Sequence, residues 1–133
     1  MDKFKGSGKK HGAVRMTEKS EETQQIEFVN WVHREYPLAW PDLHHSPNGG
    51  LRSRLAGHKM KMMGTRRGFP DLVLYQKRGG FVGLVIEMKK AKGGRVDAEQ
   101  VRWEKVLSEC GYKCHVAYGQ DQAKIYFERF MKC

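Results

Sequence analysis

Long apolar runs are missing from this 133-residue chain. No stretch approaches the roughly 20 residues of a membrane span, so a bilayer-crossing helix is not expected. The N-terminus, MDKFKGSGKKHGAVRM, is basic but lacks the apolar segment of a secretory signal. Cysteine is scarce and odd in number (Cys110, Cys114, Cys133), which argues against a disulfide framework and for a reducing compartment. Cys110, Cys114 and His115 lack the second ligand pair of a structural zinc site. Acidic residues are few: 15 Asp and Glu stand against 25 Lys and Arg, a net charge of +10. From Leu43 to Pro70 there is none at all, while the same stretch holds six Lys or Arg and three His. Folding does not require such a surplus. It draws polyanions, nucleic acid first among them.

The length suits one domain with a single core. Residues 1–17 read as a flexible basic arm and 18–133 as the folded domain. Thr17 to Tyr36 reads as a helix, capped by Thr17 or Ser20 and stopped by Pro37. Its expected inward stripe is Ile26, Val29, Val32 and Tyr36, which extends backward to Glu22 and Gln25. Residues 38–70 read as loops rich in Gly and Pro. Asp71–Tyr75 and Phe81–Lys89 form a hairpin about Arg78-Gly79-Gly80. The second of these strands is apolar almost until Glu87, so it belongs at the centre of its sheet. A helix over Ala98–Cys110, with the stripe Trp103, Val106, Leu107, Cys110, precedes a strand over Tyr112–Tyr118. A last helix over Gln120–Lys132 turns Ala123, Tyr126, Phe127 and Phe130 inward. The order predicts an α/β fold with a mixed sheet flanked by helices.

Chemistry concentrates in Pro70-Asp71 and Glu87-Met88-Lys89. Glu87 and Lys89, two apart on a strand, face the same way. Pairing about the hairpin turn brings Asp71 close to one of them. Two converging carboxylates repel and lose solvation, so a shared cation is needed to keep both ionised. Hard oxygen ligands suit Mg2+ or Mn2+, which can activate a water against a phosphodiester. Lys89 could orient that water or meet the developing charge, and Glu22 could add a third carboxylate. Each residue has a plainer reading: Asp71 as a strand-start residue, Glu87 and Lys89 as an edge ion pair, Glu22 and Gln100 as solvated helix residues. The basic stretch supplies candidate phosphate contacts in Arg52, Arg54, Lys59, Lys61, Arg66, Arg67, His44 and His45. Phe69 is its single aromatic, so backbone and shape recognition is expected there rather than base stacking.

Pro70-Asp71, sixteen residues, then Glu87-Met88-Lys89 resembles the PD-(D/E)XK nuclease motif. The context is more specific: Glu22-Thr-Gln-Gln25-Ile, His45-Ser-Pro-Asn48-Gly49-Gly50 followed by Arg52, Met63-Gly64 through Gly68-Phe-Pro70-Asp71-Leu, Gly83-Leu-Val-Ile-Glu87, and Gln100-Val-Arg-Trp103. From about Glu18 onward the chain is similar to a stand-alone VRR-NUC domain of the kind encoded by bacteriophages. The resemblance implies a restriction-endonuclease-like core and metal-dependent hydrolysis of DNA. Metal ligands would fall on Asp71, Glu87 and the main-chain carbonyl of Met88, with Glu22 acting directly or through water. Lys89 would be the catalytic lysine and Gln100 the site glutamine. Glu21 and Glu22 both precede a Gln by three; Glu22 is preferred because it shares the stripe of Ile26 and Val29. The resemblance further implies a homodimer acting on branched DNA such as a four-way junction. It also implies a cytoplasmic location, the host's for a phage-encoded member. The alternatives are a non-catalytic nucleic-acid-binding module and a nuclease acting on linear or flap duplex.

Overall fold

A computed structural model describes residues 18–47 and 53–133. The expected basic arm over residues 1–17, Arg52 and the Asn48-Gly49-Gly50 segment lie outside the described residues. Helix α1 (Glu21–Glu35) starts at Ser20, whose Oγ accepts from the Thr23 N–H at 3.1 Å. Glu21 and Glu22 then sit at the positive end of the helix dipole. A 3₁₀ turn (Trp40–Asp42) leads into the short strand β1 (Leu43–His45). Helix α2 (Arg54–Met62) follows, then β2 (Leu72–Leu74), β3 (Gly83–Lys89), α3 (Ala98–Glu109), β4 (Tyr112–Tyr118) and α4 (Gln120–Met131).

Residues 38–70 are therefore not loop throughout, because β1 and α2 lie within them. Both are weak signals along the chain. β1 has three residues, and α2 is a nine-residue helix set among Gly and Pro that buries no side chain. Ser53 caps α2 by accepting from the Ala56 N–H at 3.1 Å.

The described strands form one mixed sheet in the order β1-β2-β3-β4. β1 and β3 each pair antiparallel with β2, and β4 runs parallel to β3. All seven residues of β3 are buried, as its nearly unbroken apolar sequence requires of a strand covered on both faces. Alternation then divides the sheet. Leu84, Ile86 and Met88 join Leu72 and Leu74 in a core completed by Phe28 and Val32 of α1 and by Ala123, Phe127 and Phe130 of α4. Val85, Glu87 and Lys89 point to the opposite face, toward α3. That face is covered more thinly. No residue of α3 is fully buried, Trp103, Val106 and Leu107 are half-buried, and Cys110 is exposed.

The inward stripe of α1 differs from the expected one. Gln24, Phe28 and Val32 are buried, whereas Ile26 is 53% exposed. The helix is rotated because Phe28 meets Phe127 edge-on, with ring centroids 5.9 Å apart, and a large aromatic displaces the smaller aliphatic from the interface.

Candidate active site

β2 and β3 pair with Leu72 opposite Ile86, which sets Asp71 across from Glu87 just beyond the last ladder pair. The two residues are laced together. Asp71 donates its N–H to Glu87 Oε2 at 3.3 Å, and Asp71 Oδ2 accepts from the Met88 N–H at 2.7 Å. N–H and C=O of one strand residue point to the same side, so the Met88 carbonyl also faces Asp71, while the Lys89 carbonyl accepts from Gly119 on the β4 side. Two carboxylates and one main-chain carbonyl thus converge at the end of the central strands.

Helix α3 supplies the clamp. Its N-cap Asp97 accepts from the Gln100 N–H at 2.9 Å, and Gln100 Oε1 accepts from the Asp97 N–H at 3.0 Å, a reciprocal capping box. The same Gln100 amide reaches the strand, where Nε2 donates to Glu87 Oε1 at 2.7 Å and Oε1 accepts from Lys89 Nζ at 2.8 Å. Lys89 Nζ stands 3.6 Å from Glu87 Oε1. Gln100 therefore aligns the acid and the base on its own two amide atoms. The family resemblance already implied Gln100 as the site glutamine; the reciprocal cap with Asp97 shows how the helix start holds it there.

Behind Asp71, its carbonyl is held by the Ser46 N–H at 3.2 Å and lies 2.7 Å from His45 Nδ1, which is also 3.0 Å from Gln25 Nε2. His45 thus braces the site as well as lying among the candidate phosphate contacts. Gly68 lets the chain ahead of Asp71 pass close against the start of α3. Its φ of +84° suits glycine, and a Cβ there would come within 2.7 Å of Glu99 on α3.

Glu87 and Lys89 are each 7% exposed. Burial, and then the neighbouring Asp71 charge, pushes the Glu87 carboxyl up to about 8; Lys89 opposes this without cancelling it. The first-helix carboxylate that feels the site's charges is Glu21. Burial raises the Glu21 pKa, with the Asp71 charge adding to it and Lys89 and Lys90 opposing. Glu22 is exposed, a consequence of the same rotation that exposes Ile26. Of the expected set, Asp71, Glu87, Lys89 and Gln100 come together, Glu22 is exposed, and Glu21 rather than Glu22 feels the charges of Asp71 and Lys89.

Among the described residues, no group of three or more His, Cys, Asp or Glu is arranged to hold a metal ion. A hard cation does not need one, because Mg2+ commonly takes one or two carboxylates and keeps several waters. The donor set of Asp71, Glu87 and the Met88 carbonyl is all oxygen, and a buried carboxylate with a raised pKa beside another is a site short of positive charge.

The described candidate phosphate contacts lie on three segments. Arg54, Lys59 and Lys61 are exposed on α2, Arg66 and Arg67 on the following loop, and His44 on β1. Arg66 Nη1 donates to the Lys61 carbonyl at 3.1 Å, and Arg67 lies 3.8 Å from Asp97. Trp103 donates its Nε1–H to the Arg67 carbonyl at 3.1 Å and meets Phe69 edge-on at 5.2 Å. Phe69 therefore has a ring partner that the local sequence does not reveal. Away from the site, the Cys114 thiol lies toward the Glu104 carbonyl and burial pushes it up to about 11, while His115 stacks on Tyr126.

A mixed sheet flanked by helices, with a carboxylate pair and a lysine at the end of its central strands, is the α/β nuclease-like architecture. The family model "VRR-NUC domain" matches residues 8–121, and the chain belongs to that nuclease family. A solved structure of a VRR_NUC domain protein is similar at 29% identity with a TM-score of 0.76, over 86% of this chain and 89% of that one. No curated protein matches the chain.

Proposed function

We propose that this protein is a metal-dependent endodeoxyribonuclease that cleaves branched DNA, such as a four-way junction, as a homodimer. The observation that carries the catalytic part is the bonded set of Asp71, Glu87, Lys89 and Gln100 at one end of the sheet. Mg2+ or Mn2+ held by Asp71, Glu87 and the Met88 carbonyl would supply a water of lowered pKa and offset charge on the phosphoryl oxygens in the transition state. The chain's own residues do the rest. Asp71 and Glu87 supply the negative charge that recruits the ion, and Glu21 adds to it from α1. Gln100 fixes the Glu87 and Lys89 rotamers, so neither group need reorganise during reaction. Lys89, buried and pinned by Gln100, presents its ammonium where the attacking water or the phosphoryl oxygen would sit.

The net charge of +10 and the exposed cations of α2 support DNA as substrate. Branched DNA and the dimer rest on the resemblance to stand-alone members of the family, in which two sites face opposing strands. The test is cleavage of a labelled four-way junction with Mn2+ by wild type, Asp71→Ala and Glu87→Ala. Each substitution should lower cleavage by about two orders of magnitude or more. Full activity in either variant overturns the mechanism. A junction left intact by the wild type with or without metal would favour a purely binding module. Linear and flap duplexes in the same panel read out branch selectivity.

A further inference from the structure

Beside the carboxylates lies a cavity of about 390 Å³, lined by Ser46, Met60, Thr65, Arg66, Phe69 and Trp103 among others. That volume falls within the range of pockets that enclose small organic groups, roughly 300–1,000 Å³. It adjoins the site through the backbone. Phe69 is two residues before Asp71, so their Cα atoms are at most about 7 Å apart, and Ser46 donates its N–H to the Asp71 carbonyl. Its walls suit a flat π-system. The Phe69 and Trp103 rings stand at 75° to each other, so a planar guest can lie on the face of one against the edge of the other. The Arg102 guanidinium stands over the Trp103 ring, 5.4 Å from its centroid. The Ser46 and Thr65 hydroxyls can each donate or accept, which tolerates the edges of different bases. Exposed Arg66 lines the cavity and no carboxylate is among its described lining residues, which a phosphate-linked guest matches and an apolar peptide side chain does not.

We propose that this cavity receives an unstacked nucleobase of the DNA strand next to the scissile phosphate, so that the protein selects DNA with an unpaired nucleotide at the cleavage point. The inference rests on the nuclease reading above and names how that site would choose its substrate. A base held within duplex cannot enter without being unstacked and unpaired, at a cost in free energy that a branch point has already met. Stacking on aromatic side chains is strong enough to matter and tolerant of sequence.

The experiment uses the full chain in EDTA, so it reads binding alone and stands apart from cleavage. Fluorescence anisotropy measures affinity for a branched DNA with one unpaired nucleotide, which is moved position by position and presented either with its base or as an abasic site. At one position the abasic form should bind roughly five- to hundredfold more weakly. 2-Aminopurine at that position should lose fluorescence on binding, as stacking on a ring requires. Equal affinity, within twofold, at every position overturns the proposal. In Trp103→Leu the base-to-abasic ratio should fall to within twofold, and a ratio that persists assigns base reading to another part of the protein and overturns the pocket. Should Trp103→Leu fail to fold, Thr65→Tyr fills the same cavity from its rim and carries the same expectation. Absence of base dependence in the wild type with cleavage intact refutes the pocket alone, whereas wild-type base dependence without cleavage in Mn2+ refutes the nuclease reading alone.

Discussion

Glu87 carries the largest electrostatic burden in the site, and its titration is a direct probe. Its carboxyl lies near the ordinary 4.5 when unfolded and is raised to about 8 when folded. Between those values the folded protein holds a proton that the unfolded chain releases. Metal-free protein should therefore lose stability as pH rises from about 5 to 8. The melting temperature of wild type minus that of Glu87→Gln, measured in EDTA, should fall across that window; a flat or rising difference contradicts the burial argument. Bound Mn2+ competes with the same proton, so Mn2+ affinity should rise over the same range. Lys89 makes a separate prediction. Lys89→Ala removes the ammonium but none of the oxygen donors, so cleavage should fall about a hundredfold or more while Mn2+ binding persists. Metal affinity lost in that variant would show that Lys89 organises the donors instead.

Helix α1 shows how packing selects between adjacent residues. Glu21 and Glu22 have identical chemistry and similar neighbours, and a rotation of about 100° separates them. Phe28 and Val32 set that rotation by burying against α4 and the sheet, which leaves Glu21 toward Asp71 and Glu22 in water. Glu21→Ala should lower Mn2+-dependent cleavage about tenfold or more, as expected of a group that tunes a metal site from outside its ligands. Glu22→Ala should stay within about twofold of wild type, and the reverse order would place the helix in another register. The expected stripe placed Ile26 inward; an aliphatic three or four residues from another is compatible with two neighbouring faces, and the partner surface decides between them. Helix α3 behaves otherwise. Its Asp97 and Gln100 capping box is local, yet the orientation it imposes delivers Gln100 to Glu87 and Lys89.

The molecule as a whole is a thin sheet with one thick core and one sparse face. The site occupies the sparse face, where Glu87 and Lys89 project away from the aromatic layer of α1 and α4. Exposed cations concentrate on α2 and the loop that follows, which leads through Phe69 and Pro70 to Asp71. If six or more phosphates are neutralised, log affinity for junction DNA should fall with log salt at a slope of about −5 or steeper. Lys59→Ala and Lys61→Ala should each lessen that slope by about 1, whereas Lys113→Ala on β4 should leave it unchanged. A slope near zero in wild type would deny the basic stretch its role.

Much of the architecture was legible along the chain. β3 announced itself by continuous apolarity, α4 by its periodicity, and the approach of Asp71 to Glu87 or Lys89 by the short turn at Arg78-Gly79-Gly80, because these signals are local or nearly so; the register that settles on Glu87 came with the folded sheet. The family motif likewise resides in short segments whose order survives without a fold. Other features depend on surfaces that meet only after folding: the rotation of α1, the strand at Leu43–His45, the brace from His45 to the Asp71 carbonyl, and the meeting of Phe69 with Trp103 across 33 intervening positions. Each is set by steric exclusion and hydrogen-bond completion between segments distant in sequence, and periodicity carries no record of which partner a side chain will face.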